Sequence, residues 1–331
     1  PRAVLWLAAA VAAPGAVRGL ALPGGQDLEA HAAATPALKR IHVISVGRQG
    51  SCLALDLFER AGDGLPVLFE PLRGVVEGSA ILSGPSSEAK RKQVRCLYSD
   101  DPASACRPVV HRPVVNELTE LMAEPSHPPL VIKTTRIANL KLLAEELSQE
   151  QVDSTRFVVL VRDPRAVWAS TKPFTGWATH HIPLVCGLLA ESLLTLPALG
   201  SAAPGRVEVA VYEEWSRDVA GWAERMGAFF GLDSTEMVRL GRERQRDPAQ
   251  PEWVDSLTDA ELSQIEQDRF CRAYMARVGY RPGRGEGADA SGLRSPAELL
   301  RGLDASEHGL LAELMSMDPR VHRARPQPRP R

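Results

Sequence analysis

The chain has 331 residues, 44% hydrophobic and 24% charged, with a formal net charge of -2. That length buries one large core or two modest ones, and the near-neutral balance gives no overall field to gather nucleic acid, which charge therefore excludes as a partner. Any anion site has to be built locally.

In chain order, residues 3 to 17, AVLWLAAAVAAPGAV, carry no charge and follow Arg2. This is the pattern of a signal peptide's apolar region or the stub of a signal anchor. The run is shorter than the ~20 apolar residues that span a bilayer, and Pro14 and Gly15 interrupt it. The alternative is a plain alanine-rich, poorly ordered N-terminus. With the Ala-, Gly- and Pro-rich stretch that follows as a stem, residues 1–40 are expected to target or anchor the chain to a membrane.

Apolar runs at 42–46, 67–69, 130–132 and 157–161 predict buried parallel strands, and VEVAVY at 207–212 a fifth. Helical patterns cover Cys52–Arg60, Ala138–Leu147, Pro164–Thr171, Leu184–Leu196 and Val219–Phe230. The alternation predicts an α/β class: a central parallel sheet flanked by helices, with ligands at the carboxyl ends of the strands. Residues 74–128, with the basic stretch Lys90–Arg95, break the alternation and are expected to be an insertion on the acceptor side. Residues 258–278 predict one amphipathic helix, capped by Thr258 with Glu261 and closed by Gly279. Residues 41–282 then form the folded domain. Residues 283–331 are rich in Gly, Pro and Arg, hold one weak helical patch at Ala297–Met315, and are expected to be largely disordered.

None of the five cysteines forms a CxxC pair, which argues against a zinc site. In an oxidising compartment Cys96 and Cys106 can close a short loop, and Cys186 and Cys271 can tie two helices together, leaving Cys52. Five reduced thiols is the other reading.

Two stretches carry chemistry. In HVISVGRQGS a buried strand runs into Arg48, Gln49, Gly50 and Ser51 just before a helix. Amides at a helix start lack intrahelical partners, the helix dipole adds positive charge, glycine lets an anion approach, and Arg48 adds a full charge. The loop matches neither GxxxxGK[ST] nor GxGxxG, which disfavours magnesium-bound triphosphates and dinucleotides. In FVVLVRDPRAVWAS, Asp163 is a good N-cap, Pro164 suits the first helical position, Arg162 stands at the sheet edge and Ser170 lies eight residues on.

Together these stretches resemble the sulfotransferases that use 3′-phosphoadenosine 5′-phosphosulfate (PAPS), nearest to the Golgi carbohydrate 6-O-sulfotransferases acting on N-acetylglucosamine or galactose. Arg48, Gly50 and Ser51 match the family's R-[ST]-G-S-[ST] loop around the 5′-phosphosulfate; Gln49 and Cys52 depart from it. RDPRAV with Ser170 matches the 3′-phosphate site. IKTTRIANL (132–140), VYEEW (211–215) and IEQDRFCRAYMARVGY (265–280) resemble further family segments, and the likeness covers roughly 41–282. It implies the P-loop-like sulfotransferase fold, with Arg48, Gln49, Gly50, Ser51, Cys52, Arg162 and Ser170 binding PAPS.

The same resemblance makes Glu70, in VLFEP, the base that deprotonates an acceptor hydroxyl, with Arg48 and loop amides stabilising the leaving phosphate. It implies a glycan acceptor and a Golgi or secretory location, as a single-pass type II membrane protein. No metal is expected, because arginine and backbone supply the charge. Lys133 and Arg136 are candidates for holding cofactor or acceptor, or for lining the cleft. Trp168 and Trp177 are candidates for stacking, with core packing preferred for Trp168. His42, His111, His180 and His181 read as structural or solvated. The alternatives are a tyrosylprotein sulfotransferase and a catalytically impaired, PAPS-fold glycan-binding protein.

Overall fold

The computed structural model describes residues 37–59, 61, 65–69, 85, 87–98, 129–135, 137–172, 181–245, 253–283 and 292–317, all in the unit running from Pro36 onward. Five strands form one sheet: β1 (Arg40–Ile44), β2 (Val67–Phe69), β3 (Leu130–Thr134), β4 (Thr155–Val161) and β5 (Val207–Val211). Their order is β2-β3-β1-β4-β5, and every pairing is parallel. Such a sheet is covered on both faces, so its central strands read as continuous apolar runs. β1 and β3 are buried along their whole length. β5, at an edge, carries the partly exposed Glu208. The α/β class with a central parallel sheet flanked by helices is as the sequence predicts.

The two faces take different helices. Ile41, Val43, Val158, Leu160 and Ala210 pack with α1 (Ser51–Phe58) and with Trp215, Trp222 and Phe230. Ile44, Phe157, Val159, Val161 and Val209 pack on the other face with Leu188, Leu189, Leu193 and Leu196. The chain therefore leaves β1 towards one face. After β4 it enters α5 (Pro164–Thr171) and α6 (Ile182–Ala202), and α6 covers the opposite face. Neighbouring parallel strands whose connections diverge leave a crevice at their carboxyl ends. Between them in sequence, α2 (Glu88–Leu97) packs on α3 (Leu140–Glu146), followed by α4 (Gln149–Asp153).

Several elements differ from expectation. The basic stretch at 90–95 lies in α2, where Arg91 and Arg95 both pair with Glu146, each at 2.7 Å, and Val94 and Tyr98 join the core. This part of the expected insertion is docked scaffold. Helix α6 runs through Pro197 instead of ending at Leu196. It is buried nearly all round, and tertiary packing outweighs the one lost backbone bond. Its length and apolarity would suffice to cross a membrane, but 78% of its most apolar stretch is buried inside the fold.

The single helix expected over 258–278 is two. After α7 (Tyr212–Trp215), α8 (Val219–Phe230), α9 (Thr235–Arg244) and α10 (Trp253–Ser256) come α11 (Asp259–Gln267) and α12 (Arg269–Val278). They break at Asp268, whose side chain accepts from the amides of Phe270 and Cys271. A mid-helix aspartate is a poor helix former and a good cap, so it starts a new helix. The Thr258–Glu261 capping box and the left-handed Gly279 both form. The fold also extends past 282: α13 (Pro296–Leu299) and α14 (Ala305–Ser316) bury Leu299 and Leu314. Arg277 pairs with Glu307 and donates to the carbonyls of Leu299 and Arg301. Residues 292–317 are thus folded, not a disordered tail.

Cys186 on α6 and Cys271 on α12 form a disulfide. Cys106 lies outside the described residues, so the Cys96–Cys106 pairing does too. The bridged cysteines are 85 residues apart in sequence, and closing a loop of that size removes enough entropy from the unfolded chain to stabilise the fold by roughly 4.5 kcal/mol. Replacing both by alanine should lower the unfolding free energy by roughly 2–5 kcal/mol, read as a fall in the denaturant midpoint. An unchanged midpoint would mean that packing of α6 on α12 holds the joint alone.

Candidate functional site

The loop after β1 is held open by its own backbone. Gly47, Arg48 and Gly50 all take positive φ, at 98°, 55° and 91°, and Arg48 is the one non-glycine residue to do so among the described residues. Positive φ at two adjacent residues and again at Gly50 bends the loop sharply, and turns of this kind can aim backbone amides at an anion. Gly50 precedes α1, which has no side-chain cap, so its first amides have no capping side chain. Gly50 is also required sterically. A Cβ there would come within 2.5 Å of the Tyr212 ring and 2.9 Å of Trp215.

The family resemblance puts Gln49 among the residues that bind PAPS. Instead it is 2% exposed, and its Oε1 accepts from the Val46 amide at 2.6 Å. It also meets the Tyr274 hydroxyl. It braces the loop from inside. Ser51 opens α1 and is buried, whereas Cys52 is exposed and unpaired.

The second stretch folds as its residues dictate. Asp163 caps α5 by accepting from the Arg165 amide, with Pro164 in the first turn. Arg162 is left at the end of β4, beside the β1 loop. Its Nη1 donates to the Arg48 carbonyl at 2.8 Å, and its guanidinium lies 4.2 Å from the centre of the Tyr212 ring, a cation–π contact. Arg48 reaches the other way, its Nε donating to Ser170 Oγ at 3.0 Å and to the Ser170 carbonyl at 3.1 Å. Arg48, Arg162 and Ser170 thus meet in one part-buried crevice, although 122 residues separate the first from the last. Burial, and beyond it the Arg162 charge, lower the affinity of the Arg48 guanidinium for its proton, while Cys52 acts the other way. Two cations drawn this close call for an anion between or beside them.

A layer of acids and tyrosines supports the Arg162 backbone. The Tyr274 hydroxyl accepts from the Arg162 amide at 3.2 Å and donates to its carbonyl at 3.1 Å. Glu213, on α7, accepts from the Asp163 amide at 3.0 Å and from the Tyr280 hydroxyl at 2.6 Å. Burial, then the Asp163 charge, raise the Glu213 carboxyl to about 6 against bonds from Tyr280 and Asp163 and the Arg162 charge. Arg165 is fully buried and pairs with both Asp163 and Glu266. These supports come from residues distant in sequence, and no motif in the sequence marks Glu213, Tyr274 or Tyr280 individually. The YEEW and Gly-Tyr segments that contain them were the available signal.

Other expected residues divide. Glu70, Arg136, Trp177, His111 and His180 lie outside the described residues. Lys133 is buried on β3, in register with Val43 of β1 and Phe69 of β2. Trp168 packs against the core and donates from Nε1 to Glu261 at 3.2 Å. His42 is fully buried in β1 against the Tyr98 hydroxyl, with burial lowering it to about 3, and His181 caps α6.

No protein-family model and no curated protein matches the sequence. Among solved structures, the chain is similar to a mouse sulfotransferase, SULT7A1, complexed with PAP, at 12% identity over 72% of this chain and 88% of that one, with a TM-score of 0.39. It is also similar to the sulfotransferase domain of the Synechococcus PCC 7002 olefin synthase, at 15% identity over 86% of this chain and 97% of that one, TM-score 0.39. A sulfotransferase from Alicyclobacillus acidocaldarius is similar at 11% identity over 87% of this chain and all of that one, TM-score 0.41. Likeness this loose assigns no activity, which must come from the chain's own residues.

Gly50→Ala should destabilise the protein by roughly 1–3 kcal/mol, since it combines a left-handed backbone with the clash against Tyr212 and Trp215. A thermal melt reads it. A wild-type melting temperature would show that the loop can repack around a methyl group.

Proposed function

We propose that the chain is a sulfotransferase that takes its sulfuryl group from PAPS and passes it to a hydroxyl of a glycan. The observation that carries this reading is the meeting of Arg48, Ser170 and Arg162 at the ends of adjacent strands, since these belong to the two motifs that resemble the 5′ and 3′ phosphate sites. The residues fit such a nucleotide. Arg162 Nε is a buried donor with no hydrogen-bond partner, α1 begins without a side-chain cap, and both are donors suited to phosphate oxygens. When bound, PAPS supplies an activated sulfuryl group on its 5′-phosphate.

The protein's part is to hold and neutralise. Arg48 and the amides of Gly50 and Ser51 stabilise charge growing on the phosphate side, and as fixed donors they need no reorganisation. Arg162 and Ser170 grip the distant phosphate. Glu70, which follows the last residue of β2 in sequence, takes the acceptor's proton. A secretory location is supported by the Cys186–Cys271 bridge, because structural disulfides persist in oxidising compartments, and the uncharged run at 3–17 is the segment that would target or anchor the chain.

A second reading, a PAPS-fold glycan binder without turnover, is favoured by the inward-turned Gln49 and by Arg48 being engaged with Ser170. Calorimetry with PAP followed by a labelled-sulfate assay on a panel of sugars separates the two: binding with transfer supports the enzyme, and binding without transfer supports the binder. Absence of any PAP binding would sink both. Arg162→Ala should weaken PAP by about 10-fold or more. Arg48→Ala should slow transfer on the order of 100-fold. Glu70→Gln should keep PAP affinity and abolish transfer, and near-normal turnover in that variant removes Glu70 as the base.

A further inference from the structure

We infer that Glu213 is a positioning residue whose proton sets how strongly Arg162 attracts a phosphate, making nucleotide affinity at this site proton-linked. The inference rests on the proposed PAPS site and extends it.

Among the described residues, Glu213 is hydrogen-bonded to neither the β1 loop nor Ser170. It acts through the backbone beside Arg162: one carboxyl oxygen accepts from the Asp163 amide and the other from the Tyr280 hydroxyl. The groups facing it come from three directions. Arg162 and Asp163 lie at the end of β4 and the start of α5, Tyr274 is on α12, and Tyr280 follows the end of α12. Asp163 and Glu266 share the Arg165 guanidinium, which bonds Asp163 through Nε and Nη2 and Glu266 through Nη1. The bonded partners of Glu213 are an amide and a hydroxyl, not a cation. The tyrosines stay neutral, since burial raises both. Within this cluster, Glu213 is therefore the group whose ionisation decides whether the Arg162 charge is offset.

With Glu213 ionised, its charge cancels part of the Arg162 field in the crevice. With Glu213 protonated, that field is undiminished while the hydrogen bonds to Asp163 and Tyr280 persist in rearranged form. Burial places this change in a useful range, at about 6 against an ordinary 4.5. The sign follows by linkage: an anion bound at Arg162 favours the protonated carboxyl, so binding takes up a proton and affinity rises as pH falls through 6.

The test compares PAP binding by calorimetry in the intact wild-type chain and in Glu213→Gln, an uncharged near-isostere, from pH 5 to pH 8. PAP's own phosphate titration affects both proteins alike, so the ratio of their dissociation constants isolates Glu213. The variant should bind about threefold tighter or more above pH 7, and the two should converge near pH 5. Wild-type binding should take up more protons, read from the dependence of the binding enthalpy on buffer ionisation. Tyr280→Phe removes a bond that favours the ionised carboxyl, so it should move the convergence to higher pH, and it serves if Glu213→Gln folds poorly. A ratio that stays constant across the range overturns the inference and leaves the proposed function standing. A wild type that binds no PAP at any pH overturns both.

Discussion

The parallel pairing of β1 with β4 is the constraint on which the site depends. Ile44 of β1 stands in register with Val159 of β4, so the loops that follow begin within a few residues of the same level. One chain then turns to the face carrying Trp215 and Trp222, the other to the face carrying Leu189 and Leu193. Had both turned to the same face, a helix would cover the ends of the strands. Because they diverge, the ends stay open, and the residues there are Arg48 and Arg162.

Bringing two guanidinium groups into a part-buried crevice is unfavourable without compensation. Neutral acceptors supply part of that compensation. Arg162 donates to the Arg48 carbonyl and rests on the Tyr212 ring, and Arg48 donates to Ser170. Acids are present, but one layer down, where Asp163 and Glu266 are committed to Arg165. That separation sets the two guanidinium groups at the crevice and the shared Arg165 pairs beneath them. Glu213 is bonded to an amide and a hydroxyl, not to a cation.

How legible this was in the sequence depended on range. The strand, loop and helix around Arg48 are set by local residues, as are the Asp163 cap and the Pro164 start, and all stood where the motifs placed them. The pattern over Leu184–Leu196 fell short of the whole helix, which runs on through Pro197 because α6 is held by packing on nearly every side. Asp268 was an overlooked local signal: an aspartate inside an amphipathic pattern can begin a helix as well as interrupt one. The supports of Arg162 were legible only as segments, VYEEW and the stretch ending in Gly-Tyr, and not as partners of Arg162. Tyr274 is 112 residues from it, Glu213 is 50 from Asp163, and no spacing rule connects them. Gln49 showed the opposite limit: its position was right, but whether it faced the anion or the loop interior depended on the Val46 amide and on Tyr274.

Tyr274 then ties the whole site to the C-terminal half. Its hydroxyl holds both backbone groups of Arg162 and meets Gln49, so it touches the support of each loop. It lies one turn after Cys271, on the helix that the disulfide fixes to α6. The crevice is therefore not a property of the β1 and β4 loops alone. Arg48 makes the coupling mutual, since its backbone carbonyl receives Arg162 while its side chain holds Ser170. Ser170 Oγ accepts from Arg48 through a lone pair, which leaves its O–H free to donate, so an anion can bond Ser170 without displacing Arg48. The contact that couples the two loops therefore need not break when an anion binds, and Arg48 and Ser170 can act on it together.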